Sequence, residues 1–169
     1  GATNEILAEQ DFGYYARSVC VADSGRRAFA TADEDNMVGV LDCQSDSLTS
    51  EVATQGRLSA LCLDPVKHKV YVADSAANVV TVLNDETSTI TALIPAGPYP
   101  VALVRDSTLN KVYCASVGTY DLPATLTVID GAGDSVLKTI QLEGTGTNAL
   151  CLNTTNNRVC VGLHTDQKV

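Results

Sequence analysis

A pattern of short apolar segments recurs four times along the chain, each time with the same internal spacing. One residue marks each copy, at intervals of 42, 42 and 47 residues: Phe29, Tyr71, Tyr113 and Cys160. Nine residues before each marker lies a small apolar residue: Cys20, Cys62, Val104 and Cys151. Repetition with a period of about 20 to 50 residues is typical of proteins assembled from copies of one supersecondary unit. We therefore expect such an assembly here.

Each copy contains four segments of strand-like alternation separated by turn-forming residues. In the second copy they read SALCLD, KVYVAD, NVVTVLN and TITALI, which we name strands A, B, C and D. Tracts such as DPVKHK and NDETST separate them, and nothing in the pattern predicts a helix. Four antiparallel strands in a unit of this length predict the blade of a β-propeller, whose radial repetition protects the sheet edges.

The predicted fold is all-β, a β-propeller of four-stranded antiparallel blades with about four repeats of roughly 42 residues. We expect residues 1–169 to form one domain or arc. It begins with strand D of a split blade and its D–A loop (1–17) and ends with a partial blade (148–169). Three blades lie between them: 18–58, 59–100 and 101–147. The sequence leaves two alternatives for how the propeller ring is completed. Strands from both ends could share one blade of a four-blade ring, or the chain could be an arc of a larger ring, which we favour because four blades make a tight ring.

The residues of strand B have two predicted roles. The aromatic residues should be buried between neighbouring sheets, where a side chain of this size removes about 150 to 250 Å² from water. Each copy also has a basic residue two positions before its marker residue: Arg27, Lys69, Lys111 and Arg158. We expect these bases to lie on the A–B turn in solvent, with a recurring anion site as the alternative.

A family resemblance adds to this interpretation. The tracts LNKVYCASVG, ATLTVIDGAGDSVLKTI and NALCLNTTNNRVCV resemble the YVTN-type propeller repeats of surface-layer and other cell-surface proteins. Phe29 and Cys160 at the aromatic position, and the longer loop from Gly118 to Ala124, depart from that family's pattern. The resemblance implies an extracellular or cell-surface location. The beginning GATNEILAEQ is unlike a signal peptide, so we expect either an intracellular chain or one without its leader.

The composition argues against two classes of partner. The chain has 11 Lys+Arg and 20 Asp+Glu, a formal net charge of −9, which repels phosphate backbones. We therefore expect no nucleic-acid partner. There is no apolar run of the roughly 18 residues that a membrane span needs, so we expect no membrane insertion.

The sequence offers no catalytic, cofactor or metal site. It contains no G-x-S-x-G, H-E-x-x-H, P-loop or dinucleotide glycine pattern, and the six cysteines include no C-x-x-C pair. His68 and His164 lie in different copies without further ligands and are interpreted as exposed polar residues. Cys20, Cys43, Cys62 and Cys114 are expected to be unbridged. Cys151 and Cys160 should face each other across the A–B hairpin, where a bridge is conceivable.

The B–C and D–A loops should emerge on one face of the propeller, where loops on a rigid scaffold commonly bind partners. The candidate interaction residues there are Asp33, Glu34, Asp35, Arg57, Asp74, Tyr99, Tyr120 and Asp121. We predict a non-enzymatic structural or interaction module with protein partners or self-association, including a homodimer that completes a larger ring. The alternatives are a lactonase-like metal-dependent hydrolase, and a propeller fragment without a function of its own.

Overall fold

The computed structural model describes residues 6, 9, 15–22, 26–32, 35–144 and 146–163. The first sheet comprises β1 (Ala16–Val21), β2 (Arg27–Ala32), β3 (Met37–Asp42) and β4 (Ser47–Ala53). The second comprises β5 (Leu58–Asp64), β6 (Lys69–Asp74), β7 (Val79–Asn84) and β8 (Ile90–Pro95). The third comprises β9 (Pro100–Asp106), β10 (Lys111–Ser116), β11 (Thr125–Asp130) and β12 (Ser135–Gln141), and a two-stranded sheet comprises β13 (Thr147–Asn153) and β14 (Arg158–Leu163).

Each sheet is an antiparallel meander in sequence order, which confirms the prediction of an all-β fold built from four-stranded blades. We number the four sheets as blades I to IV. The first and second strands of each blade pair in the predicted register: Cys20 with Phe29, Cys62 with Tyr71, Val104 with Tyr113, and Cys151 with Cys160. Residues that are nine positions apart in the sequence therefore lie opposite each other in a short hairpin.

The turns within blades repeat one hydrogen-bonding device. The carboxylate of Asp64 accepts hydrogen bonds from the amides of Val66 and Lys67, two and three residues later. Other turns contain the same pair of hydrogen bonds, with the side chain of Asp106, Asp42, Asn84 or Asp130 as the acceptor. Short Asp and Asn side chains stabilise tight turns in this manner, which explains their regular occurrence at strand ends.

Apolar side chains fill the spaces between consecutive blades. Phe29 and Tyr71 are fully buried, as predicted for the aromatic positions, whereas Tyr113 is half-buried. Phe29 packs with Val70 and Val72 of blade II, and Tyr71 packs with residues of blade III. Blades II and III each contribute residues to apolar clusters on both of their faces, whereas the outer strand β12 of blade III is exposed throughout.

The expectation that the bases before strand B lie in solvent was wrong for Arg27 and Lys69. Arg27 begins β2 and donates from Nη1 to the backbone carbonyls of Asp85, at 3.0 Å, and of Glu86. Lys69 begins β6 and donates to the carbonyl of Gly131 at 3.1 Å and to both carboxylate oxygens of Asp134 at 2.8 Å. Each base therefore reaches the C–D turn of the following blade.

The inner strands contact one another in chain order, β1 with β5, β5 with β9, and β9 with β13. Within the described residues, no contact of comparable extent joins β13 to β1. The predicted closing segments lie almost entirely outside the described residues: 3–10, of which only 6 and 9 are described, and 164–169. The choice between a closed ring and an arc therefore stays a prediction.

Candidate functional site

The B–C and D–A loops meet at one end of the blades, which we call the loop face (35–36, 54–57, 75–78, 96–99 and 117–124). The amide of Ser75 donates to the carbonyl of Arg57 at 2.6 Å, joining a B–C loop to a D–A loop. The amide of Val117 donates in the same way to the carbonyl of Tyr99 at 3.0 Å. These bonds fix the loops of each blade to the loops before it.

The longest loop, 117–124, is folded back on itself. The amide of Thr119 donates to the carbonyl of Leu122 at 2.8 Å, and the Thr119 hydroxyl accepts from the amides of Asp121 and Leu122. Gly118 has φ of +83°, and an added Cβ would lie 2.5 Å from the carbonyl oxygen of Leu122. Only glycine fits there, because other residues disfavour this φ and would clash with the returning chain. This tight turn places Tyr120 and Asp121 at its tip.

Three large side chains on this face are exposed to solvent. Tyr120 is completely exposed, at 101%, and Leu122 and Tyr99 are each 52% exposed. Tyr99 belongs to the loop whose carbonyls accept from Val117 and Gly118, so its backbone adjoins the base of the Tyr120 loop. Tyrosine is enriched in protein interfaces because it joins apolar area to a hydroxyl at a small conformational cost. This combination can bind a protein surface.

The charged residues predicted for this face differ in accessibility. Asp35, Arg57 and Asp121 are exposed. Asp74 is fully buried, and its carboxylate accepts from the amides of Gln55 at 3.2 Å and Ala77 at 3.0 Å. Its observed role is to hold two loops together. Asp33 and Glu34 lie outside the described residues.

A second feature lies at the opposite end of the blades, the turn face (43–46, 65–68, 85–89, 107–110, 131–134 and 154–157). A cavity of about 370 Å³ opens there between blades I and II. It is lined by Ala22, Arg26, Arg27, Pro65, His68, Asp85 and Glu86. His68 Nδ1 lies 3.1 Å from Asp85 Oδ1 and 3.6 Å from Glu86 Oε1.

The sequence did not predict the His68 contacts, although the topology could have done so. His68 ends the A–B turn and Asp85 begins the C–D turn of the same blade, and strands B and C are neighbours. These turns must therefore lie side by side. The side chain of His68 is still 52% exposed, as expected for a polar turn residue. Across the described ranges, no three His, Cys, Asp or Glu side chains are grouped so that they could hold a metal ion.

The strongly shifted pKa values belong to the blade interior. Burial raises the pKa of Cys20 to about 11 and that of Cys114 to about 12, and it also raises the pKa of Cys62. Burial, followed by the nearby Asp134 carboxylate, raises the pKa of Tyr71. These thiols and this phenol are neutral near pH 7, which suits packing between sheets and not nucleophilic chemistry.

Many solved structures are similar to the chain, among them the following two. Hydrazine synthase of Kuenenia stuttgartiensis matches with a TM-score of 0.80 and 17% identity, over 94% of this chain and 46% of that one. U3-55K matches with a TM-score of 0.71 and 11% identity, over 83% of this chain and 43% of that one. Both are β-propeller proteins, so the chain has a propeller fold.

The similarity to these two structures shows the propeller fold. The chain spans less than half the length of either matching chain. No protein-family model matches the sequence, and no curated protein does. No helix in the described part of the chain has the length and apolar character to cross a membrane.

Proposed function

We propose that the chain is a non-enzymatic propeller module that binds a protein partner through its loop face. The observation that carries this proposal is the exposure of Tyr120, Leu122 and Tyr99 on loops that backbone hydrogen bonds hold in place. A loop ordered before binding loses little conformational entropy when the partner docks, so more of the contact energy appears as affinity. Asp121 and Arg57 are exposed charged residues on the same loop face and favour a polar rim.

The location at the cell surface is a second part of the proposal. It is supported by the resemblance of LNKVYCASVG and the tracts that follow it to the YVTN-type repeats of cell-surface propellers. Antibody labelling of intact cells that express the full-length protein tests it. Labelling only after the cells are permeabilised would contradict a surface location.

The binding function is tested with a random-peptide display library panned on the immobilised protein. We expect recovered peptides to lose affinity at least about tenfold for the double variant Tyr120→Ala with Leu122→Ala, since exposed aromatic side chains dominate such contacts. The matched control is Val66→Ala with Leu109→Ala, two exposed apolar residues on the turn face. Peptides that depend on the control residues, or the recovery of none, would overturn the proposal.

The non-enzymatic part has its own test. The protein is incubated with a panel of simple lactones, with and without Ca²⁺ or Mn²⁺, and hydrolysis is compared with that in buffer alone. We expect no difference. Metal-dependent turnover that Asp121→Asn or Asp35→Asn abolishes would instead support the hydrolase alternative.

A further inference from the structure

The contacts between blades follow a directional rule at the turn face. The base that begins strand B donates to the C–D turn of the next blade, as Arg27 does to Asp85 and Lys69 does to Asp134. The carbonyl of the first turn residue accepts in both cases, and in blade III the carboxylate of the fourth turn residue accepts as well. Every blade should therefore present a donor to the blade after it and acceptors to the blade before it.

Both ends of the series have such groups without a partner among the described residues. Arg158 begins strand B of blade IV and is exposed. Asp46, the residue of blade I that corresponds to Asp134, is exposed on a turn that begins with Cys43. No blade precedes blade I in the described part of the chain, so the donor and the acceptors remain at opposite ends.

The apolar faces of the two end blades show the same complementarity. Cys151 and Cys160 of blade IV are exposed, whereas the corresponding Cys20 and Phe29 pack against blade II. At the other end, Val19 is 66% and Val21 53% exposed. The corresponding residues of blade II, Leu61 and Leu63, pack into the cluster shared with blade I.

We propose that a second copy of this chain binds head to tail at the open face of blade IV. Val19 and Val21 of one copy pack on Cys151 and Cys160 of the other, as Leu61 and Leu63 pack on blade I. Arg158 donates to the carbonyl of Cys43 and the carboxylate of Asp46 in the second copy, as Lys69 does to Gly131 and Asp134. Two copies that meet at both junctions close a ring of about eight blades, in which each blade has a neighbour on both faces.

Charge reversal across the junction provides the test. Light scattering over a range of protein concentrations should show a dimer for the wild-type chain. Arg158→Glu places two carboxylates at each junction, and Asp46→Lys places two bases there, so either variant alone should raise the dissociation constant at least about tenfold. Mixing the two variants should restore the dimer, because both junctions of the mixed pair then join opposite charges.

Lys138→Glu is the matched control, because it reverses an exposed base on the outer strand β12, away from either junction. It should leave the dimer unchanged, and so should the loop-face variant Tyr120→Ala, which separates this inference from the proposed function. A wild-type chain that is monomeric at all concentrations, a dimer insensitive to Arg158→Glu and Asp46→Lys, or a mixture that fails to reassociate would each overturn the proposal.

Discussion

Lys69 of blade II donates to both carboxylate oxygens of Asp134 in blade III, at 2.8 Å each. Both side chains are 17% exposed, and the hydroxyl of Tyr71 donates to the same carboxylate at 3.1 Å. The carboxylate thus accepts from two residues of the neighbouring blade. Hydrogen bonds to charged groups contribute about 1.5–3 kcal/mol each, so this cluster is a main polar contribution to the junction.

The first prediction concerns this cluster. Lys69→Met keeps the apolar stem but removes the charge, and it leaves a largely buried carboxylate with a single phenolic donor. We expect the free energy of unfolding, measured in urea, to fall by about 1–3 kcal/mol. Lys111→Met is the matched control, because Lys111 has the corresponding position in blade III but no partner among the described residues. Equal losses in the two variants would contradict the assigned role of Lys69.

The second prediction concerns a buried ion pair between the inner strands. Arg105 Nη2 lies 2.8 Å from Asp64 Oδ1, and the side chains are 13% and 1% exposed. Arg105→Leu leaves the Asp64 carboxylate buried without its counter-ion, which should cost about 3–5 kcal/mol. The corresponding residues of the junction between blades I and II, Ala22 and Leu63, are apolar.

A second substitution distinguishes loss of the ion pair from loss of the hydrogen bonds that the Asp64 side chain accepts in its turn. Asp64→Asn keeps an acceptor for the amides of Val66 and Lys67 but removes the charge. The double variant Asp64→Asn with Arg105→Leu should therefore recover more than half of the stability lost in Arg105→Leu, as judged by urea unfolding. Additive losses in the double variant would show that the two residues act independently.

The sequence predicted the blades because their determinants are local. The spacing from Cys62 to Tyr71 equals the register of one hairpin, and Asp or Asn at the strand ends specifies the turns between strands. Such features depend on neighbouring residues alone. For the same reason the aromatic residues Phe29 and Tyr71 could be assigned to the buried space between sheets.

The contacts between blades were harder to predict. The sequence shows that Arg27 and Lys69 recur, but their partners Asp85 and Asp134 lie 58 and 65 residues away along the chain, in different blades. Asp74 was predicted as a loop-face acid, and its burial follows from the D–A loop that crosses it at Gln55. The period of the sequence does not identify the partner in either contact, since each contact depends on how one sheet is placed against the next.

The third prediction is a pH dependence from a buried thiol. Burial raises the pKa of Cys20 from 9.0 to about 11, so between these values the unfolded chain loses the proton while the folded chain keeps it. Stability is unaffected by this group below pH 9.0, and it falls as the pH rises through the window, by up to about 1.4 kcal/mol per pH unit. Urea unfolding at a series of pH values measures the slope.

Cys20→Ala should make that slope shallower. Val52→Ala is the control, because Val52 packs on the same cluster but carries no proton. It should lower the stability at every pH and leave the slope as it is in the wild-type chain. A slope that is unchanged in Cys20→Ala would show that ionisation of this thiol is not coupled to unfolding.

The last prediction concerns Cys151 and Cys160, which are exposed and paired directly across the β13–β14 hairpin. Opposed residues of an antiparallel pair have Cα atoms about 4.5–5.5 Å apart, within the range of about 4.4–6.8 Å that a disulfide requires. Oxidised glutathione should therefore join them. The two cysteine thiols form one disulfide and give up two protons and two electrons, which reduce the glutathione disulfide to two molecules of its thiol. The number of thiols titrated after denaturation should fall from six to four.

Peptide mapping should place the new bond between Cys151 and Cys160, and Cys160→Ser should form no intramolecular bridge under the same conditions. A bridge between Cys20 and Cys62 would contradict the arrangement of the sheets, because packed sheets lie about 10 Å apart. The same two exposed thiols lie on the face that the proposed second copy covers. Oxidation at high protein concentration should therefore be faster in Arg158→Glu than in the wild-type chain, and equal rates in the two proteins would indicate that nothing covers this face.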